Sequence, residues 1–219
     1  MENVASRRAP SDACEYAVAS RAMAGQRRSG DAALVCAGGD GLLVAVVDGL
    51  GHGDEAAVAA GVAIRTLREQ AGQPIESLFQ RCHETLQATR GAAIALAMLD
   101  ASRATVTWSG VGNVEGILVR SSQHGERDKL YLTNRGGVVG YRLPLVHASV
   151  FQIAAGDQLI FATDGIDECF TSGDIPHGPP DRVARAILDR HGKATDDALV
   201  LVLRWRGPGG GAAIRRREQ

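Results

Sequence analysis

Short apolar runs bounded by Gly, Asp or Ser recur along the chain, and two longer stretches break that rhythm. Residues 15–21, 32–37 and 42–47 read as strands. The last two are joined by Gly38-Gly39-Asp40-Gly41, a hairpin signal because Gly and Asp tolerate positive φ. Over 54–70 the period lengthens, with Ala57, Val58, Gly61, Val62, Ile64 and Leu67 near helical spacing. Gly72-Gln73-Pro74 ends that helix. A second helix is predicted over 75–89, with Ile75, Leu78, Phe79, Cys82 and Leu86 on one face. Strands return at 92–99, 105–109, 115–120, 129–132, 146–153 and 158–163, the last two joined by Ala155-Gly156-Asp157. A helix over 181–191 and a strand over 198–205 follow. The near-continuous apolar run of that last strand predicts burial on both faces.

Strands linked by hairpin-type turns imply antiparallel sheets, not alternating βαβ units. The expected class is α+β: two antiparallel sheets packed face to face, with helices covering the outside. Residues 1–13 read as a flexible lead, 14–206 as one domain, and 207–219 as a Gly/Arg-rich disordered tail.

Composition narrows the function. A net charge of -1 over 219 residues offers no general attraction for nucleic acid or membranes. Aromatics at 4% leave little for base stacking. Cys14, Cys36, Cys82 and Cys169 form no CxxC pair, which argues against zinc or a disulfide framework. The N-terminal residues lack the apolar core of a signal peptide, and no apolar run spans a bilayer. The expectation is a cytoplasmic protein, without nucleic-acid or membrane partners, acting as a monomer.

The chemistry lies in aspartates at strand ends. The strand over 43–47 delivers Asp48 into Gly49-Leu50-Gly51-His52-Gly53, and a helix follows. The strand over 159–163 delivers Asp164-Gly165. Asp196-Asp197 precedes the last strand, and Ser29-Gly30-Asp31 precedes the second. A single Asp-Gly is ordinarily a turn. Clustered carboxylates, however, repel unless cations neutralise them, and all-oxygen donors favour Mg²⁺ or Mn²⁺. Two such ions ~4 Å apart activate a shared water and clamp a phosphoryl oxygen. The chain has no cysteine-phosphatase loop, no Asp-x-Asp pair and no P-loop.

These residues, in this order, resemble the PPM (PP2C-type) metal-dependent phosphatases, in the bacterial branch of SpoIIE, RsbU and RsbX. The match rests on Ser29-Gly30-Asp31, Val46-Val47-Asp48-Gly49-Leu50-Gly51-His52-Gly53, Ala162-Thr163-Asp164-Gly165 and Asp196-Asp197, with Gly110-Val111-Gly112-Asn113 and Gly136-Gly137-Val138-Val139-Gly140 also fitting. The resemblance implies an αββα sandwich that holds two, or three, Mn²⁺ or Mg²⁺ ions. Asp48 would bridge them and Gly49 would offer its carbonyl. Asp164 and Asp196 would complete one site, with Asp31 on the other side. His52 is a candidate general acid, or else supports the site from behind, as does Asp197. Arg27 or Arg28 are candidates for the substrate phosphate, although loop arginines are more often merely solvated.

The compact chain is most similar to the stand-alone RsbX type. That implies a serine/threonine phosphatase acting on a phosphorylated STAS-domain protein or stressosome scaffold. Two rivals are an inactive PPM-fold binding module and a nucleotide-binding enzyme. The latter is weakened because Gly49-x-Gly51-x-Gly53 misses the G-x-G-x-x-G fingerprint. The broken segment 165–181 is expected to shape partner selection.

Overall fold

The computed structural model describes residues 2–8 as backbone, and 13–39, 41–121 and 128–208 with their side chains. Among the described residues, eleven strands form two antiparallel sheets. The first contains β1 (Glu2–Arg8), β2 (Cys14–Arg21), β7 (Glu115–Val119), β8 (Lys129–Leu132), β10 (Gln158–Ala162) and β11 (Ala198–Trp205). Its strand order is β1-β2-β11-β10-β7-β8. The second contains β3 (Asp31–Gly38), β4 (Gly41–Gly49), β5 (Ala92–Asp100), β6 (Thr105–Val111) and β9 (Ser149–Gln152), in the order β3-β4-β5-β6-β9. Helices α1 (Asp54–Glu69) and α2 (Ile75–Leu86) cover the second sheet, and α4 (Pro180–His191) covers the first. The short α3 (Cys169–Ser172) lies between β10 and α4.

Three apolar layers explain the strand patterns. In β4, Leu42, Val44 and Val46 face the first sheet, while Leu43, Ala45 and Val47 face the helices. Side chains alternate along a strand, so a strand covered on both sides must be apolar at every position. Between the sheets, Val44, Val46 and Ala95 meet Phe161, Leu201 and Leu203. Trp108 of β6 stacks on Phe161 of β10 with ring centroids 5.0 Å apart, joining the two sheets. Under α1 and α2, Ala59, Ala63, Leu67, Leu78, Phe79 and Leu86 are buried on Leu43, Ile94 and Leu96. Val183, Ala184, Ile187 and Leu188 of α4 pack on Ile117, Ile160, Val200 and Val202.

Two features differ from the sequence reading. Glu2–Arg8, read as part of a flexible lead, is β1, in antiparallel register with β2 from Glu2↔Arg21 to Arg8↔Glu15. The open edge of β2 offers a row of backbone donors and acceptors that a polar segment can satisfy. The turn Ala155-Gly156-Asp157 does not join a hairpin: β9 pairs with β6 in the second sheet, and β10 pairs with β7 and β11 in the first. The chain therefore crosses between sheets there. The residues 209–219 of the tail lie outside the described part.

Candidate active site

Acidic residues from both sheets meet at one end of the sandwich. Asp31 opens β3 and Asp48 lies near the end of β4, and the two are direct cross-strand partners. Like charges in that position repel. From the other sheet, the Thr163 hydroxyl donates to Asp31 Oδ2 at 2.7 Å and accepts from Leu199 N–H at 2.9 Å. Thr163 thus ties the second sheet's acid to the first sheet's central strands. Asp164 follows Thr163 at the exposed rim, where Asn113 Nδ2 donates to its Oδ2 at 2.6 Å. Lys193 Nζ donates to the Asp164 carbonyl at 2.7 Å, holding the turn from the α4–β11 side.

The two adjacent acids at the start of β11 have separated roles. Asp197 is buried, and its carboxylate accepts N–H groups from Met23 at 2.8 Å and Gly30 at 2.7 Å. It pins the 22–30 connection and so places Asp31. Asp196 is half-buried and accepts only the Asp197 N–H among the described hydrogen bonds, at 2.8 Å. Asp196 is therefore the member with a carboxylate oxygen left for a ligand.

The glycines beside the acids serve chain packing. A Cβ on Gly49 would stand 2.2 Å from the Ala56 carbonyl of α1, and one on Gly165 would stand 1.9 Å from the Asp197 carbonyl. Either would push two backbone segments apart. The Asp-Gly pairs thus bring α1 and β11 close to their acids, a reason distinct from room for a ligand.

Electrostatics record the crowding. Burial, then the carboxylates of Asp31, Asp164, Asp196 and Asp197, push Asp48 up to about 9. Burial raises Asp31 to about 8, opposed by the Thr163 hydrogen bond and reinforced by Asp197, Asp164 and Asp196. Asp164 is also raised, by partial burial and Asp196, against the pull of Lys193 and two hydrogen bonds.

The other sequence candidates fall outside this ring. His52 is exposed, and its Nδ1 lies 3.3 Å from Gln26 Nε2. Arg27 and Arg28 are exposed, and Arg28 Nη1 faces Asp54 Oδ1 at 3.9 Å. The segment 165–181 is anchored on the first sheet. Lys129 Nζ donates to the Thr171 and Gly173 carbonyls, Tyr131 OH donates to Thr171 at 3.1 Å, and Gln158 Nε2 donates to Gly178 at 3.1 Å. The sequence reading gave no role to Asn113, Thr163 or Lys193. The first two stand inside its own motifs, and their hydroxyl and amide were the available signal. Nothing in the residues around Lys193 marks it.

A hard divalent cation fits the donors: Asp31, Asp48, Asp164, Asp196 and the Gly49 carbonyl are all oxygens. Among the described residues no three acid, imidazole or thiolate groups close into a preformed cage. Such donors suit ions that keep several of their waters.

Residues 38–206 match the family of stage II sporulation protein E (SpoIIE). The chain belongs to the SpoIIE family. Its sequence is 27% identical over 143 residues to "Phosphoserine phosphatase RsbX" of Bacillus subtilis (strain 168), covering 65% of this chain and 70% of that protein. A solved structure of RsbX in complex with magnesium superposes with a TM-score of 0.78 at 20% identity, covering 94% of this chain and all (100%) of the other. A chain described as "The bacterial stressosome: a modular system that has been adapted to control secondary messenger signaling" is 30% identical, with a TM-score of 0.77 and coverage of 87% and 99%. The PP2C phosphatase domain of SpoIIE from Bacillus subtilis gives 0.73 at 19% identity, covering 94% of this chain and 70% of that one. The αββα sandwich of this SpoIIE-family chain is the PP2C fold that its motifs imply.

Proposed function

We propose that the chain is a metal-dependent serine/threonine protein phosphatase that hydrolyses phosphoserine or phosphothreonine on a STAS-domain or stressosome-type signalling protein. One observation carries this reading: Asp31 and Asp48, cross-strand partners from neighbouring strands, are pushed up to about 8 and about 9 within a ring completed by Asp164 and Asp196. Such a ring is stable at neutral pH only when protonated or neutralised by cations. The magnesium complex of RsbX supports cations, and the stressosome chain supports the class of partner.

Asp48 and Asp31, with the Gly49 carbonyl, would hold one side of a two-cation centre, and Asp164 and Asp196 the other. When bound, such ions supply an acidified water for attack on phosphorus and a clamp on the phosphoryl oxygens. The protein's part is positioning. Thr163 fixes Asp31 against the first sheet, Asn113 and Lys193 fix Asp164, and Asp197 fixes the loop before Asp31. These contacts fix the segments that carry the acids, and groups fixed in advance of reaction favour electrostatic catalysis. No side-chain nucleophile is required. We place the enzyme in the cytoplasm as a monomer. All four cysteines are unpaired, and burial holds Cys14 and Cys82 at about 12, as inert thiols of a reducing compartment.

The test is turnover of p-nitrophenyl phosphate and of a serine-phosphorylated STAS-domain protein, with Mn²⁺, with Mg²⁺ and with EDTA, beside Asp48→Asn. Metal-dependent turnover that the variant loses is the expected result. A folded, metal-supplied protein that turns over neither substrate would instead be an inactive binding module.

A further inference from the structure

A protein that presents a phosphoserine to this site must cover the rim around it. A standard interface takes about 800 Å² from each partner, a patch roughly 16 Å in radius. The rim is apolar on one side. Leu50, two residues beyond Asp48, is 38% exposed, and its N–H donates to the Gly91 carbonyl. Val58, about one turn into α1, is 52% exposed. Ala92 and Val139 exchange backbone hydrogen bonds beside Gly91, and two residues on, Tyr141 is 85% exposed. Between α1 and the end of α2 lies a groove of about 310 Å³, lined by Val58, Ala88 and Arg90 together with Asp54, Glu55 and Thr89.

Charge does not explain this surface. Glu55 pairs with Arg90, whose guanidinium lies over Gly51 of the Asp48 loop, and Asp54 faces Arg28. With these charges matched, the exposed apolar side chains are what the rim offers to a partner. Clustered exposed apolar groups mark interaction sites, and single ones do not. The opposite rim is different: the segment 165–181 is stitched by its carbonyls to Lys129, Tyr131 and Gln158.

The geometry points to the α1 groove, with Val58 in its lining and Tyr141 exposed on the 138–142 turn that pairs with Ala92 beside it, as the docking surface for the phosphoprotein substrate. A folded protein would lay an apolar side chain adjacent to its phosphoserine into this groove. The inference rests on the phosphatase reading for its choice of partner. It moves partner selection from the 165–181 segment to the face between α1 and the 138–142 turn.

The test uses the full chain carrying Val58→Asp, and separately Tyr141→Ala, at positions exposed enough to leave the fold intact. Kinetics on p-nitrophenyl phosphate are compared with those on a serine-phosphorylated STAS-domain protein, and binding of that protein is measured by calorimetry. The expected result is p-nitrophenyl phosphate turnover within about twofold of wild type, with KM for the phosphoprotein raised at least about tenfold and binding weakened equally. Unchanged phosphoprotein kinetics and binding would overturn the inference, as would equal losses on both substrates. Calorimetry separates the two readings. If the wild type turns over neither substrate but Val58→Asp still weakens binding, the docking surface stands and the phosphatase reading fails. A wild type that does not bind the phosphoprotein overturns the docking surface.

Discussion

β10 runs between two aspartates held in opposite ways. Asp157, just before it, is 2% exposed, and its carboxylate is fully answered. Arg120 Nη1 lies 2.7 Å from Oδ2, and the N–H groups of Ser121 and Ala154 donate at 2.8 and 2.9 Å. At the other end of the strand, Asp164 joins Asp31, Asp48 and Asp196, where acids face acids. A buried charge is tolerated when cation and donors come from the fold. At the far end Lys193, which draws Asp164 down, spends its described hydrogen bond on a carbonyl. The first arrangement closes a structure, and the second leaves a deficit of positive charge for something else to fill.

That contrast can be broken from either side. The largest effect belongs to Asp48→Asn, which should reduce phosphatase turnover to below about one-hundredth, since even groups behind a metal ligand are worth 10–100-fold. The metal-free variant should be at least as stable as wild type in urea, because a repelling carboxylate has gone. Asp157→Ala should do the reverse. It strands a partly exposed Arg120 and two backbone N–H groups, costing about 3 kcal/mol in urea unfolding with little change in kcat for the folded fraction.

A pH series sharpens the comparison. Asp31 and Asp48 have folded values near 8 and 9, raised above the ordinary carboxylate value of 3.8, so the folded state binds more protons than the unfolded chain between those limits. Their stabilisation is full below the unfolded value and is lost as pH rises through the folded values. Metal-free protein should therefore lose stability from pH 6 to pH 9. The stabilisation by Mg²⁺ or Mn²⁺ should grow over the same range, as protons stop competing for the carboxylates. Equal slopes with and without metal would contradict the charge deficit. The smallest effect is expected of Asn113→Ala, which frees the Asp164 carboxylate. A fall of about tenfold in kcat, with stability nearly unchanged, should show in steady-state kinetics and urea melts.

Much of this was legible in the chain. The alternation along 42–47 and the helical spacing from Ala57 to Leu67 specify β4 and α1, because burying apolar side chains on a strand or helix requires those periods. The acids at strand ends, in family order, also pointed to the cluster that the fold brings together, since strand ends are where a sandwich can gather side chains from both sheets. Other features were not legible. The β9–β10 connection has the residues of a hairpin, and local turn chemistry does not say which sheet each strand joins. The resemblance chose Asp196 over its identical neighbour Asp197, but the physical reason, the Met23 and Gly30 N–H groups that Asp197 accepts, lies more than 160 positions away.

Apart from β1 and the short α3, the sequence alone thus determined the elements and their layers and pointed to the acids, because period and side-chain chemistry are local properties. Only the tertiary structure decided which carboxylates are answered and which are left facing one another. It also decided that Gly49 and Gly165 make room for backbone, and that Thr163 joins the two sheets at Asp31. These depend on distances across the fold, which no neighbourhood of the chain encodes.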